Sequence, residues 1–286
     1  MESHEIEVPG GRLVYDVHGP LPPTDGRPPL LLIGHPMGAG GFSALASHFP
    51  DRTVVTYDPR GIERSEVADA EHSPSRNAED VHLVIEAVGR PVEVFGSSGG
   101  AVTGFALVTM YPDDVTVLVA HEPPVLDVLP DAEFARAAFR QASEDYHRGG
   151  FGAGMARFIQ LTSVEGEFTP EVLAQPAPDP RMFGLPTEDD GARDNPLLSG
   201  VSDDVADVEF DAQALAGARA RLVLAAGEES KNQIPGRAAA EIAKALGSDL
   251  VIFPSHHGGF VGGDSGYAGK PEAFAAKLRE VLDSSG

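Results

Sequence analysis

At 286 residues the chain has room for one large domain, or one domain with an insertion, and its 42% hydrophobic content supplies a sizeable core rather than global disorder. Its net charge of -23 speaks against nucleic acid or an anionic membrane as partner, because both require a cationic face. With no cysteine, disulfides and thiolate chemistry are excluded, and a zinc site would have only His and carboxylate ligands.

The first residues, MESHEIEVPGGRLVYDV, lack the apolar stretch of a secretion signal. No apolar run approaches the roughly 20 residues of a membrane span. A cytoplasmic location is therefore the simplest expectation. Residues 12–18 (RLVYDVH) alternate as an exposed strand does. Residues 30–33 (LLLI) form a short apolar run ended by Gly34, the signature of a buried parallel strand. Residues 53–57 (TVVTY) are β-branched and stop at Asp58-Pro59. In residues 77–88 Val81, Val84, Ile85 and Val88 share one helical face. A strand follows at 91–95, a helix apolar all round at 101–110 and a buried strand at 115–120.

From about residue 123 the rhythm breaks. Helices are predicted at 132–147, 154–162 and 169–173, separated by the loop PAPDPRMFGLPTEDDGARDNP. Strands resume at 221–226 and 250–253. Helices are predicted at 235–246, with Pro at its start and Gly247 at its end, and at 271–282. The alternation implies a mostly parallel sheet with helices on both faces. The expected organisation is a core from 1–122 and 213–286, interrupted by a helical lid at 123–212. In such sheets ligands bind at the carboxyl ends of the strands.

The stretch VFGSSGGAV, with Val94 as its first residue, follows a strand and precedes a helix. That is the setting of a nucleophile elbow, in which a sharp turn lifts the central side chain above the sheet. The residues two before and two after the centre crowd each other and must be small. Centring on Ser98 puts Gly96 and Gly100 there, whereas centring on Ser97 would put Phe95 there, so Ser98 is the candidate nucleophile. The stretch lacks the Lys of a P-loop and the third spaced glycine of a dinucleotide fingerprint. GHPMGAGGF, after the strand at 30–33, offers backbone N–H groups for an oxyanion, from Met37 together with Gly99; Pro36 has none to give. His35 shapes this loop at the border of the substrate. In PSHHGGF, after the last strand, His257 is the candidate base and His256 the runner-up. The carboxylate that orients the base comes from Glu122 in HEPP or from Glu228 or Glu229 in GEES. Asp58 and Arg60, in YDPRG, read as a salt bridge that stabilises a turn. No His pair with metal-ligand spacing stands out, so no metal is expected.

In this order LLLIGHPMG, TYDPRGIERS, VFGSSGG, LVLAAGEES and HHGGF resemble the α/β-hydrolase superfamily, over almost the whole chain. The resemblance implies an α/β fold with a sheet of the eight-stranded type and a helical lid. By it, Ser98 is the nucleophile, His257 the base, and Met37 and Gly99 the oxyanion donors. The chain departs from the pattern at Glu63, which stands where a glycine is usual, and at His35-Pro36, where His-Gly is commoner. It departs also at Ser230, which occupies the usual place of the acid. In some members the acid follows the sixth strand, where Glu122 stands; this favours Glu122, with Glu229 the alternative. A serine in place of an aspartate nucleophile argues against dehalogenase or epoxide hydrolase chemistry.

The expected activity is hydrolysis of an ester, thioester or lactone of a small to medium organic substrate through an acyl-enzyme, with no cofactor. Phe134, Phe139, Met155, Phe158, Ile159 and Met182 are available to line its pocket, and equally to pack the lid. Other reactions of the same residues are C–C bond or amide hydrolysis and cofactor-free peroxidation. A reading from another class is a ligand receptor gated by its lid. The sequence leaves the oligomeric state open, a homodimer being one option.

Overall fold

The computed structural model describes residues 1–68, 72–200, 203–263 and 267–284. The chain opens with an antiparallel hairpin, β1 (Glu2–Val8) and β2 (Gly11–His18). Then come β3 (Leu30–His35), α1 (Ser43–Ser47), β4 (Val54–Tyr57), the short β5 (Glu66–Val67) and α2 (Pro74–Val88). β6 (Val92–Ser98) runs directly into α3 (Gly99–Met110), and β7 (Val115–His121) follows. After a helical segment, β8 (Arg221–Gly227) and β9 (Leu250–Phe253) complete the sheet.

The sheet has nine strands in the order β1-β2-β4-β3-β6-β7-β8-β9, with β5 paired to β2. β2 is antiparallel to β1, β4 and β5; every pairing from β4 to β9 is parallel. This is the mostly parallel sheet that the strand-helix alternation predicts. β3 shows why its strands read as continuous apolar runs. Leu31 and Ile33 pack into one core with α2 and α3, whereas Leu30 and Leu32 pack into the opposite core with α1 and with α9 (Pro271–Asp283). A strand covered by helices on both faces needs apolar side chains on both.

β1 is not predicted from the sequence. It lies at the edge of the sheet, so ESHEIEV does not show the burial pattern of an inner strand. Its exposed Glu2, Glu5 and Glu7 blunt that edge against pairing with another chain.

Between β7 and β8 the described residues form no strand. The helices expected at 132–147 and 154–162 are two arms of α4 (Ala132–Thr162), which bends at Gly150 (φ 80°). That left-handed conformation suits glycine and ends the first arm. α5 (Pro170–Leu173), α6 (Asp203–Ala206) and α7 (Ala212–Ala216) complete the segment. Its own core, around Leu126, Ala135, Ala138, Leu161 and Phe168, packs onto Ile234 and Ala238 of α8 (Ile234–Leu246). No helix among the described residues is long and apolar enough to cross a membrane.

Candidate active site

The carboxyl ends of β3, β6 and β7 lie side by side. His35 stands opposite Ser98, and Ser97 opposite His121. Ser98 has φ 56° and ψ -127°, a conformation rare for a residue with a Cβ. It costs on the order of 1–2 kcal/mol and persists because its surroundings impose it. The crowding lies at the two glycines. A Cβ on Gly96 would come within 2.7 Å of the Gly100 carbonyl oxygen, and one on Gly100 within 2.2 Å of the Ile33 carbonyl oxygen. Ser97 continues β6, is 2% exposed and shares a hydrogen bond with His121. Because β6 passes into α3 without a loop, the positive end of the helix lies against Ser98.

Glu122, the first residue beyond β7, also has a left-handed conformation (φ 49°) and is fully buried. Its Oε1 accepts hydrogen bonds from the Gly227 N–H at 2.8 Å and the Ser230 hydroxyl at 2.5 Å. Its Oε2 is bonded to Nδ1 of His257, whose side chain is 33% exposed. Burial alone would raise the Glu122 pKa. The hydrogen bond and charge of His257, the nearby His121 and the Ser230 hydroxyl outweigh it and bring the pKa down to about 2. Glu122 is therefore ionised at neutral pH and can only accept. Nδ1–H of His257 donates to it, which leaves the lone pair of a neutral imidazole on Nε2.

Of the other residues considered, Glu229 is exposed and paired with Lys270 at 2.7 Å, which lowers its pKa. Glu228 is exposed as well. The His256 ring lies tilted over that of Tyr267 (centroids 3.9 Å and planes 35° apart); its Nε2 meets the Ala268 carbonyl and its Nδ1 the Gly258 N–H. Ser230, in the position where the resemblance expects an acid, instead holds Glu122 of the neighbouring strand end.

The loop after β3 is pinned from β4. Asp58 accepts from the Ala39 N–H at 2.8 Å and pairs with Arg64, whose guanidinium also grips Asp16. Ser65 donates to the Asp58 carbonyl and accepts from the Val14 N–H. Asp58 and Arg60 are not partners of each other, contrary to the sequence reading. Arg60 is buried in a two-pronged pair with Asp80, both contacts 2.8 Å. Glu63 takes the left-handed conformation (φ 47°) that explains the usual glycine there. Met37 folds over Gly34 and Gly41 and packs at the edge of the core beneath the loop. His35 is buried against His72, with ring centroids 5.1 Å apart. Burial, and then His72, bring its pKa down to about 3, so this ring is neutral.

The aromatic residues named for the pocket pack against the core of the helical segment. Phe134, Phe139 and Phe158 border its core, and the rings of Phe139 and Phe158 meet edge to face at 6.0 Å. Met155 and Ile159 are half-buried, and Met182 is 75% exposed. Two crevices of about 200 and 270 Å³ flank α7 and α3 respectively; neither is lined by Ser98, Glu122 or His257. No three His, Asp or Glu side chains among the described residues are placed to share a metal ion.

The parts played by Ser230, Gly227 and His121 are not visible in the sequence. Only Ser230 carries a signal, as the polar residue standing where an acid is usual. The Gly227 and His121 contacts join strand ends far apart in the chain.

No protein-family model matches the chain. It is 28% identical over 289 residues to the uncharacterized hydrolase YraK of Bacillus subtilis (strain 168), spanning 97% of this chain and 95% of that protein. Among solved structures it is similar to an alpha/beta hydrolase from Sphaerobacter thermophilus DSM 20745 (TM-score 0.62, 21% identity, 98% of this chain and 100% of that one). It is similar also to a thermophilic esterase from Thermogutta terrifontis (TM-score 0.66, 20% identity, 99% and 98%). A third is the enol-lactonase from Burkholderia xenovorans LB400 (TM-score 0.66, 17% identity, 98% and 100%).

Proposed function

The chain has the α/β-hydrolase fold, the fold that defines that superfamily, and from this premise we propose that it is a serine hydrolase cleaving an ester, thioester or lactone of a small to medium organic molecule. The observation that carries the reading is the buried, ionised Glu122 bonded to Nδ1 of His257, one strand away from the strained Ser98. The hydrolase, esterase and enol-lactonase names of the similar proteins support it.

In this mechanism Nε2 of His257 takes the Ser98 hydroxyl proton as Oγ forms a bond to the substrate carbonyl carbon. The carbonyl electrons move onto oxygen, where the N–H groups of Gly99 and Met37 and the α3 terminus stabilise the charge. The tetrahedral species collapses, the bond to the leaving group breaks, and the His257 proton goes to that group. Water, deprotonated by the same imidazole, then attacks the acyl-enzyme and frees the acid and Ser98. Glu122 stays ionised throughout and stabilises the imidazolium. The neutral His35 adds no charge beside the oxyanion. Phe134, Phe139, Met155 and Phe158, which pack the helical segment, would shape the substrate site through that segment.

A fluorophosphonate probe tests the reading. Stoichiometric labelling is expected for the wild type and for Ser97→Ala, and none for Ser98→Ala. A folded wild-type chain that takes up no probe would sink the proposal.

A further inference from the structure

His121 is the last residue of β7, and it and Ser97 stand opposite each other one residue before Glu122 and Ser98. Its ring is fully buried. Nδ1 lies 3.1 Å from the Ser97 hydroxyl oxygen. The ring is near-parallel to that of His257, with centroids 6.0 Å apart and planes 24° apart. Phe253, Phe260 and Phe274 meet it edge to face, and Phe95 at a tilt.

Packing alone does not account for an imidazole in this box. Phenylalanine would fill similar space, whereas the buried Nε2 of His121 has no hydrogen-bond partner among the described residues. Leaving such a group unsatisfied is costly, so the imidazole is not there for packing. What the imidazole has and a phenyl ring lacks is Nδ1, and Nδ1 meets the Ser97 hydroxyl. That bond fixes the rotation of the ring. The fixed ring in turn lies against His257, whose other constraint is the bond from its Nδ1 to Glu122. One hydrogen bond leaves an imidazole free to swing about it; a ring against its face removes that freedom.

The ring also brings no charge. Burial lowers the His121 pKa; the Glu122 charge opposes this and His257 adds to it, leaving it at about 4. His257 can therefore take a proton without a second cation at its face.

We propose that Ser97 and His121 form a positioning pair: the serine hydroxyl fixes the His121 ring, and that ring sets the plane in which His257 presents Nε2 to Ser98. The inference rests on the reading of His257 as the base. Neither residue touches substrate, since both are buried, so both act through His257. It also gives the second serine of the elbow a task distinct from nucleophilic attack.

The test uses the full chain and p-nitrophenyl acetate, with kcat counted per serine titrated by the fluorophosphonate. Ser97→Ala and His121→Phe are expected to lower kcat about tenfold or more, as misplacement of a reacting group does. KM should stay within about twofold, since ground-state binding is untouched. The downfield Nδ1 proton signal of the His257–Glu122 bond should broaden in both variants. Ser97→Thr keeps the hydroxyl and should recover most of kcat. If His121→Phe does not fold, the two Ser97 variants carry the test. Unchanged kcat per titrated serine, with only a lower Tm, would mean a purely structural pair and overturn the inference alone. A wild-type chain that no fluorophosphonate labels overturns the base reading and the inference with it.

Discussion

Ser98 ends β6 and Glu122 directly follows the neighbouring β7, and the two share one backbone device, a left-handed conformation at a residue that is not glycine (φ 56° and 49°). What holds them there differs. The turn at Ser98 is made by its own neighbours, Gly96 and Gly100, which allow the chain to close on itself and on β3. The site of Glu122 is made by Gly227, Ser230 and His257, residues 105, 108 and 135 positions away. The turn at Ser98 is thus marked by the spacing of five residues, with β3 closing against Gly100. The setting of Glu122 exists only after β7, β8 and the loop beyond β9 have come together. A strained turn residue such as Ser98 can be recognised from a short motif; the partners of Glu122 cannot, because nothing adjacent to it announces them.

Substitutions can break this contrast at either end. Glu122→Gln should lower kcat by about 10³–10⁴-fold, because the amide favours the wrong tautomer of the base. Glu229→Gln, whose carboxylate pairs with Lys270 at the surface, should change kcat by less than about threefold, as expected of an exposed pair. Steady-state kinetics on one ester decides between them, and a dead Glu229→Gln would overturn the assignment.

The long-range site should also show in the pH dependence of stability. Glu122 binds its proton more weakly when folded (pKa about 2) than at its ordinary value of 4.5. The unfolded chain therefore takes up this proton first as the pH falls. The stability Glu122 contributes is whole above pH 4.5 and lost as the pH drops through about 2. Its size is on the order of 3 kcal/mol. Urea unfolding at stepped pH should show wild type and Glu122→Gln converging in that window. A gap independent of pH would contradict the anchoring of this carboxylate.

The local site is tested by its glycines. A Cβ on Gly100 would stand 2.2 Å from the Ile33 carbonyl oxygen, so Gly100→Ala must push α3 off β3. A loss of about 2 kcal/mol is expected, typical of overpacking. The same substitution at Gly263, where a Cβ meets nothing among the described residues within 4 Å, should be nearly silent in the same denaturation assay.

Most of the sheet was legible because its strands are buried on both faces, which makes them short continuous apolar runs between turn residues. β1 was not, because an edge strand exposed to water carries Glu2, Glu5 and Glu7. The bend in α4 was half legible: the sequence marks two helices, and Gly150 joins them as arms of one. Asp58 and Arg60 show the limit on side-chain pairing. Two opposite charges two residues apart suggest a local ion pair, but β4 and the turn after it send them to different partners, Arg64 and Asp80.

By itself the sequence determined the order of the inner strands and the main helices, and it marked Ser98 rather than Ser97 as the centre of the turn, because both follow from spacing and from the crowding of Gly96 against Gly100. Only the tertiary structure decided which carboxylate His257 meets, what Ser230 does in the acid's usual place, and that Ser97 faces His121. Those contacts lie between the ends of different strands, where distance along the chain says nothing about distance in space.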